Sequence, residues 1–114
     1  MMFACALYPT DKRFLTTVSE EVEQQVYRLR KHPSVLLFAG NNENEVAIRS
    51  HWWSVDNYTG KWVVLKKKVK RLEEQQVEDY VALYADTIAP IVRNLDSSRP
   101  FLLSSPSNGK ATEE

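Results

Sequence analysis

Val35-Leu36-Leu37-Phe38-Ala39-Gly40-Asn41-Asn42-Glu43-Asn44-Glu45 passes from an unbroken apolar run to an unbroken polar one at Gly40. A strand with one wet face alternates, whereas one that is apolar at every position is covered on both faces, as in parallel sheets. Residues 34–39 therefore predict a buried parallel strand, and its polar exit predicts where chemistry would sit. Two further apolar runs flank it: residues 3–8, closed by Pro9, and Phe101-Leu102-Leu103. Both predict buried strands.

Helical patterns fill the intervals. Thr10 and Asp11 suit an N-cap, and Val18, Val22, Val26 and Leu29 recur at helical spacing against a face of Glu, Gln and Arg. Arg28, Arg30 and Lys31 suit the C-terminal end, with Pro33 as the stop. A second helix is predicted from about Val77, with Tyr80, Val81, Tyr84, Ile88, Ile91, Val92 and Leu95 on one face. The order strand, helix, strand, helix, strand predicts an α/β unit, βαβαβ, with parallel strands and right-handed crossovers. Residues 46–76 read less clearly. His51, Trp52, Trp53, Tyr58 and Trp62 crowd a loop or short helix, and Lys66-Lys67-Lys68-Val69-Lys70-Arg71 follows. That basic run could be a nuclear signal or a nucleic-acid patch, but Glu73 and Glu74 at helical spacing favour a solvated helix.

Composition narrows the partners. The 114 residues carry 15 basic and 15 acidic side chains, so no overall field favours nucleic acid or an anionic membrane. No apolar run reaches the roughly 20 residues of a membrane helix. The opening MMFACALYP is too short for a signal peptide and lacks a basic leader, so the chain as written is expected to stay in the cytosol. Cys5, the single cysteine, lies in an apolar stretch, where a buried structural thiol is expected rather than a reactive one. Asn57-Tyr58-Thr59 is a glycosylation sequon that would suit a secreted or lysosomal parent, weakly, since such triplets arise by chance.

Sites in parallel α/β folds lie at the carboxyl ends of strands. Amides and carboxylates immediately after a buried strand are costly unless something binds there. The bland reading of the same residues is a loop capping the next helix, with Asn44 as cap and Glu45 in the first turn. The residues alone leave both open. Glu43 and Glu45 cannot together serve as acid and nucleophile, because glycosidase carboxylates flank the scissile bond from opposite sides. His32 and His51 lack metal-ligand spacing with each other or with Cys5. His32 is expected in the loop before Pro33, and His51 on the surface or in the aromatic cluster. There is no phosphate-cradling glycine loop and no nucleophile-elbow serine.

His32-Pro33-Ser34-Val35, leading through the apolar strand to Gly40-Asn41-Asn42-Glu43, resembles the acid/base signature of glycoside hydrolase family 2. That family includes β-galactosidases, β-glucuronidases and β-mannosidases. The doubled asparagine is similar to the animal β-mannosidase branch. So are Phe3-Ala4-Cys5-Ala6-Leu7-Tyr8-Pro9-Thr10, Ser98-Arg99-Pro100-Phe101 and Ser104-Ser105-Pro106. The likeness runs from Met2 to about Gly109.

The resemblance implies that residues 1–114 are part of a catalytic (β/α)8 TIM barrel, about its third strand to its fifth, completed by a missing remainder. Glu43 would be the general acid/base of a retaining exo-β-mannosidase acting on terminal β-mannose of oligosaccharides, and Asn42 would hold the sugar near its 2-hydroxyl. The nucleophile glutamate would come from a strand beyond residue 114. No cofactor and no metal are implied, and the parent enzyme would be lysosomal. Two positions depart from the pattern: Phe38 stands where many relatives have Trp, and residues 61–76 resemble an insertion or a misjoined exon. The rival reading is a truncated, non-catalytic product with at most a remnant sugar site.

Overall fold

A computed structural model of the chain describes residues 1–53 and 66–107, with side chains from residue 73 onward in the second stretch. The Asn57 sequon, Tyr58, Trp62 and residues 61–65 of the unmatched stretch lie outside the described residues.

Helix α1, Lys12–Leu29, begins where the sequence places it. The Asp11 carboxylate accepts the N–H groups of Arg13 and Phe14, both at 3.1 Å, so it satisfies two of the donors that a helix start leaves orphaned. Val18, Val22 and Val26 form its buried stripe, and Arg28 occupies its last turn. Beyond it, His32 is exposed in the turn before Pro33.

Strand β1 is Phe38–Asn42, four residues later than the apolar run suggests. The apolar residues before it, Val35 to Leu37, lie outside the strand, after a turn at Pro33 and Ser34. Val35 N–H donates to the His32 carbonyl at 3.1 Å, and Leu36 and Leu37 are 79% and 45% exposed. Conversely, Gly40, Asn41 and Asn42, polar or side-chain-free, are strand residues. Strand β2, Phe101–Ser105, pairs with β1 in parallel, with Phe38 opposite Phe101 and Asn42 opposite Ser105.

The expected strand at residues 3–8 shrinks to a single parallel bridge, Phe3 with Asn41. Phe3 N–H donates to the Gly40 carbonyl at 2.9 Å, and Asn42 N–H to the Phe3 carbonyl at 3.0 Å. Among the described residues it has no ladder partner beyond that point, since β1 ends at Asn42 and the chain turns away at Glu43. β1 is thus central, with Phe3 on one side and β2 on the other.

A short helix α2, Asn44–Arg49, follows β1 directly. The basic run then enters helix α3, Lys66–Tyr80, as its helical reading predicts. α3 widens without a break into a π-helical segment, Val81–Ile88, and returns to helix α4, Ala89–Leu95. In the wide turns Ala89 N–H reaches back five residues to the Tyr84 carbonyl, and the Thr87 hydroxyl likewise donates to Ala82 at 2.7 Å. Pro90 lacks an N–H and would crowd a normal α-turn behind it; the widened turns immediately upstream are the kind of break that prolines impose. The change of pitch also corrects the predicted face: Leu83 is buried and Val81 is 41% exposed. Tyr84, Ile88 and Val92 pack with the α1 valines, Phe38 and Phe101 into one core.

The ends of the strands away from the polar turn are tied by Arg99. Its guanidinium donates to the Val35 carbonyl at 2.6 Å and the His32 carbonyl at 3.2 Å, and it pairs with buried Asp96 at 2.6 Å. The Ser98 hydroxyl, also on Asp96, together with Arg99 holds the Asp96 carboxyl below the ordinary carboxylate range.

Candidate active site

The polar turn is built by β1 and β2 together. Glu43 takes a left-handed conformation, φ 59°, which for a residue with a side chain costs of order 1–2 kcal/mol unless neighbours hold it. The neighbours do. Glu43 N–H donates to the Ser105 carbonyl at 3.0 Å, and its own carbonyl accepts Ala47 N–H at 2.8 Å as the first bond of α2. Ser105 precedes Pro106 through a cis peptide bond.

Asn41 lies fully buried under the turn. Its amide donates to the Leu103 carbonyl at 2.9 Å, while its oxygen accepts the Ser104 hydroxyl at 2.7 Å and Asn44 N–H at 3.1 Å. Asn44 is itself pinned. Its oxygen accepts Ala6 N–H at 3.0 Å, and its amide donates to the Tyr84 hydroxyl at 2.8 Å. Asn44 is therefore the first residue of α2 rather than its cap, and Glu43 occupies the cap position without a side-chain capping bond.

Glu43 is half-buried, and the Asn42 amide donates to its carboxylate at 3.2 Å. Cys5 stands close enough to feel its charge. Burial pushes that thiol above its ordinary value, and Glu43 pushes it the same way. The thiol is only partly covered, which corrects the expectation of a buried structural cysteine. Glu45 sits in the first turn of α2, as expected, but buried, with Arg49 at 3.4 Å.

Behind the turn, burial raises the Tyr80 hydroxyl to about 12. That hydroxyl meets Asn41 and Ser104 without a well-aligned hydrogen bond among the described residues. Burial likewise raises Tyr84. Gly40 has no room for a side chain, since a Cβ there would lie 2.5 Å from the Leu103 carbonyl oxygen.

His51 is on the surface, paired with Glu73 at 2.9 Å, and Trp52 is exposed. Among the described residues no group of His, Cys, Asp and Glu could hold a metal ion, and no helix is long and apolar enough to cross a membrane.

No protein-family model matches the sequence. The probable β-mannosidase of Caenorhabditis elegans is 49% identical over 114 residues, 100% of this chain and 11% of the worm protein. The β-mannosidase of Mus musculus is 45% identical over 113 residues, 99% of this chain and 11% of the mouse protein. This chain is a β-mannosidase homologue. The crystal structure of the Dictyoglomus thermophilum β-D-mannosidase superposes with a TM-score of 0.67 at 34% identity, over 98% of this chain and 12% of that one. The chain thus matches one segment of the β-mannosidases, a glycosidase family, and spans about a tenth of their length.

Of the residues that the sequence singles out, Asn42 and Glu43 are adjacent and in contact at the end of β1. The parts that Asn41, Ser104 and Tyr84 play in the turn escape sequence reading, and Asn44, expected as the helix cap, is instead the first residue of α2. The only signals were the doubled asparagine and the serines at the end of the third apolar run.

Proposed function

We propose that this chain contributes the acid/base part of a retaining exo-β-mannosidase that removes terminal β-mannose from oligosaccharides. Glu43 is the proton donor and then the base, and Asn42 holds the sugar. In the whole enzyme the segment supplies the third to fifth strands of a glycoside hydrolase family 2 TIM barrel. The nucleophile glutamate comes from another strand of that barrel, and the whole enzyme works in the lysosome. The isolated chain is inactive.

One observation carries this reading. The backbone of Glu43 is committed to the turn at both its N–H and its carbonyl, while the residue is only half-buried and its carboxylate takes no part in capping and meets the Asn42 amide. A general acid needs that combination, a fixed origin and a side chain free to meet the leaving oxygen. The second carboxylate of a retaining glycosidase stands about 5 Å away across the scissile bond. Glu45, two residues on and buried in the first turn of α2, cannot take that place.

The test is made in a full-length β-mannosidase whose matching segment is replaced by residues 1–114. Glu43→Gln is expected to lower kcat/KM on a β-mannosyl disaccharide by about 10²–10⁴. It should affect dinitrophenyl β-mannoside far less, since that leaving group needs no proton. Asn42→Ala should lose about 2–3 kcal/mol of transition-state binding on both substrates. Glu45→Gln should keep turnover near wild type. Unchanged activity of Glu43→Gln, or a collapse of Glu45→Gln as deep as that expected for Glu43→Gln, would show that the wrong carboxylate has been chosen.

A further inference from the structure

We infer that Asn41 is a positioning residue for Glu43, acting as a displaced helix cap that leaves the glutamate's carboxylate free; this rests on the proposed role of Glu43. At most helix starts the cap residue's own side chain turns back to accept an N–H of the first turn. Glu43 occupies that position and makes no such bond. Were its carboxylate to turn back, it would be withdrawn from any substrate. The job passes to Asn41, two residues upstream, whose oxygen accepts the Asn44 N–H at 3.1 Å.

The same side chain fixes where the cap stands. It is fully buried, and it is anchored to β2 through the Leu103 carbonyl at 2.9 Å and the Ser104 hydroxyl at 2.7 Å. Asn uses both halves of its amide here, a donor to β2 and an acceptor for both β2 and the helix. Glu43 is therefore bracketed. Its predecessor-but-one and its successor are joined by a side-chain bond around it, and its left-handed backbone is the loop that this bond closes. Removing the Asn41 side chain leaves the Asn44 N–H, the Leu103 carbonyl and the Ser104 hydroxyl without that partner. Glu43 can then relax from φ 59° toward ordinary helix-cap geometry, which carries its carboxyl away from its present direction. Displacements near 1 Å in such groups cost about 100-fold in rate.

The experiment compares two substrates with the same sugar in the full-length host carrying residues 1–114. The ratio of kcat/KM on a β-mannosyl disaccharide to that on dinitrophenyl β-mannoside reports proton donation alone, because only the disaccharide needs it. Asn41→Ala is expected to lower this ratio by about tenfold or more, in the direction of Glu43→Gln. Ser104→Ala, which removes one tie to the same oxygen but leaves the Asn44 bond, should shift it the same way by a few-fold, and it reads the proposal even if Asn41→Ala fails to fold. Equal losses on both substrates, or none, in the folded variants would mean that Asn41 only stabilises the fold, and would overturn the inference while Glu43→Gln still shows its split. If Glu43→Gln itself shows no split, the acid/base reading falls and this inference falls with it.

Discussion

The amide of Asn44 donates to the Tyr84 hydroxyl at 2.8 Å, joining the residue after Glu43 to the π-helical segment that packs behind the sheet. A helix of the core thereby sets the position of a turn at the end of a strand. Both partners are buried, so neither can replace the bond with water.

Tyr84→Phe should therefore lower stability by about 1–2 kcal/mol, the usual consequence of a buried polar group losing its partner. Asn44→Ala should cost more, because it also leaves Ala6 N–H unpaired. Urea midpoints of the full-length host carrying this segment, followed by loss of activity, check the order. A Tyr84→Phe enzyme as stable as wild type would mean that the bond does not form in solution.

Cys5 offers a chemical probe of Glu43. Burial and the Glu43 charge both raise its thiol, and the second contribution disappears in Glu43→Gln. The variant's Cys5 should ionise at lower pH and alkylate faster at pH 8 than wild type does. Mass-spectrometric iodoacetamide labelling of the Cys5 peptide across pH measures it. A slower or unchanged rate would place the carboxylate farther from the thiol.

Asp96 predicts a pH dependence. Its folded pKa lies below the ordinary 3.8, so ionised Asp96 adds stability above that value, and the contribution is lost as pH falls through the lower, folded pKa. Asp96→Asn should thus be less stable than wild type at pH 7 and at pH 5, with the gap closing below about pH 4. Denaturation midpoints at three pH values read this directly. A gap that widens in acid would reverse the sign and discard the Ser98 and Arg99 contacts as its source.

The 114-residue chain alone should neither turn over mannosides nor behave as a well-packed monomer. Leu36 and Leu37 are exposed, as are Met1 and Leu7, and an apolar groove runs between Phe3, Phe38 and α1. Leu103 is not part of this liability, since it is buried within the chain itself. Dye binding and light scattering should report a self-associating or molten state. A monodisperse monomer with a sharp two-state melt would show that the unit closes on itself.

The sequence was most legible where local physics decides. Asp11 had to cap something, and valines at 18, 22 and 26 had to face a core. The strand after α1 was misplaced because apolarity is only a surrogate for pairing. Leu36 and Leu37 are apolar without a ladder, whereas Asn41 is polar and yet fully inside. What pays for burying Asn41 is a set of partners on β2, some sixty residues away, which no local pattern announces. Leu83 was missed for a similar reason: a helical period assumed constant cannot foresee the wide turns before Pro90. Within the candidate site, Glu43 and Asn42 came from resemblance, and the support beneath them came only from the fold.

With Glu43 as the proposed acid/base, its left-handed backbone would set stability and chemistry against each other. Glycine or asparagine would sit there with less strain, and neither can donate a proton. A search for more heat-resistant forms of such an enzyme, blind to turnover, would be drawn to this position and would improve the protein by disarming it. Selection on activity has to hold the glutamate in place against that pull, so engineering of this segment is best screened for melting and for hydrolysis at once.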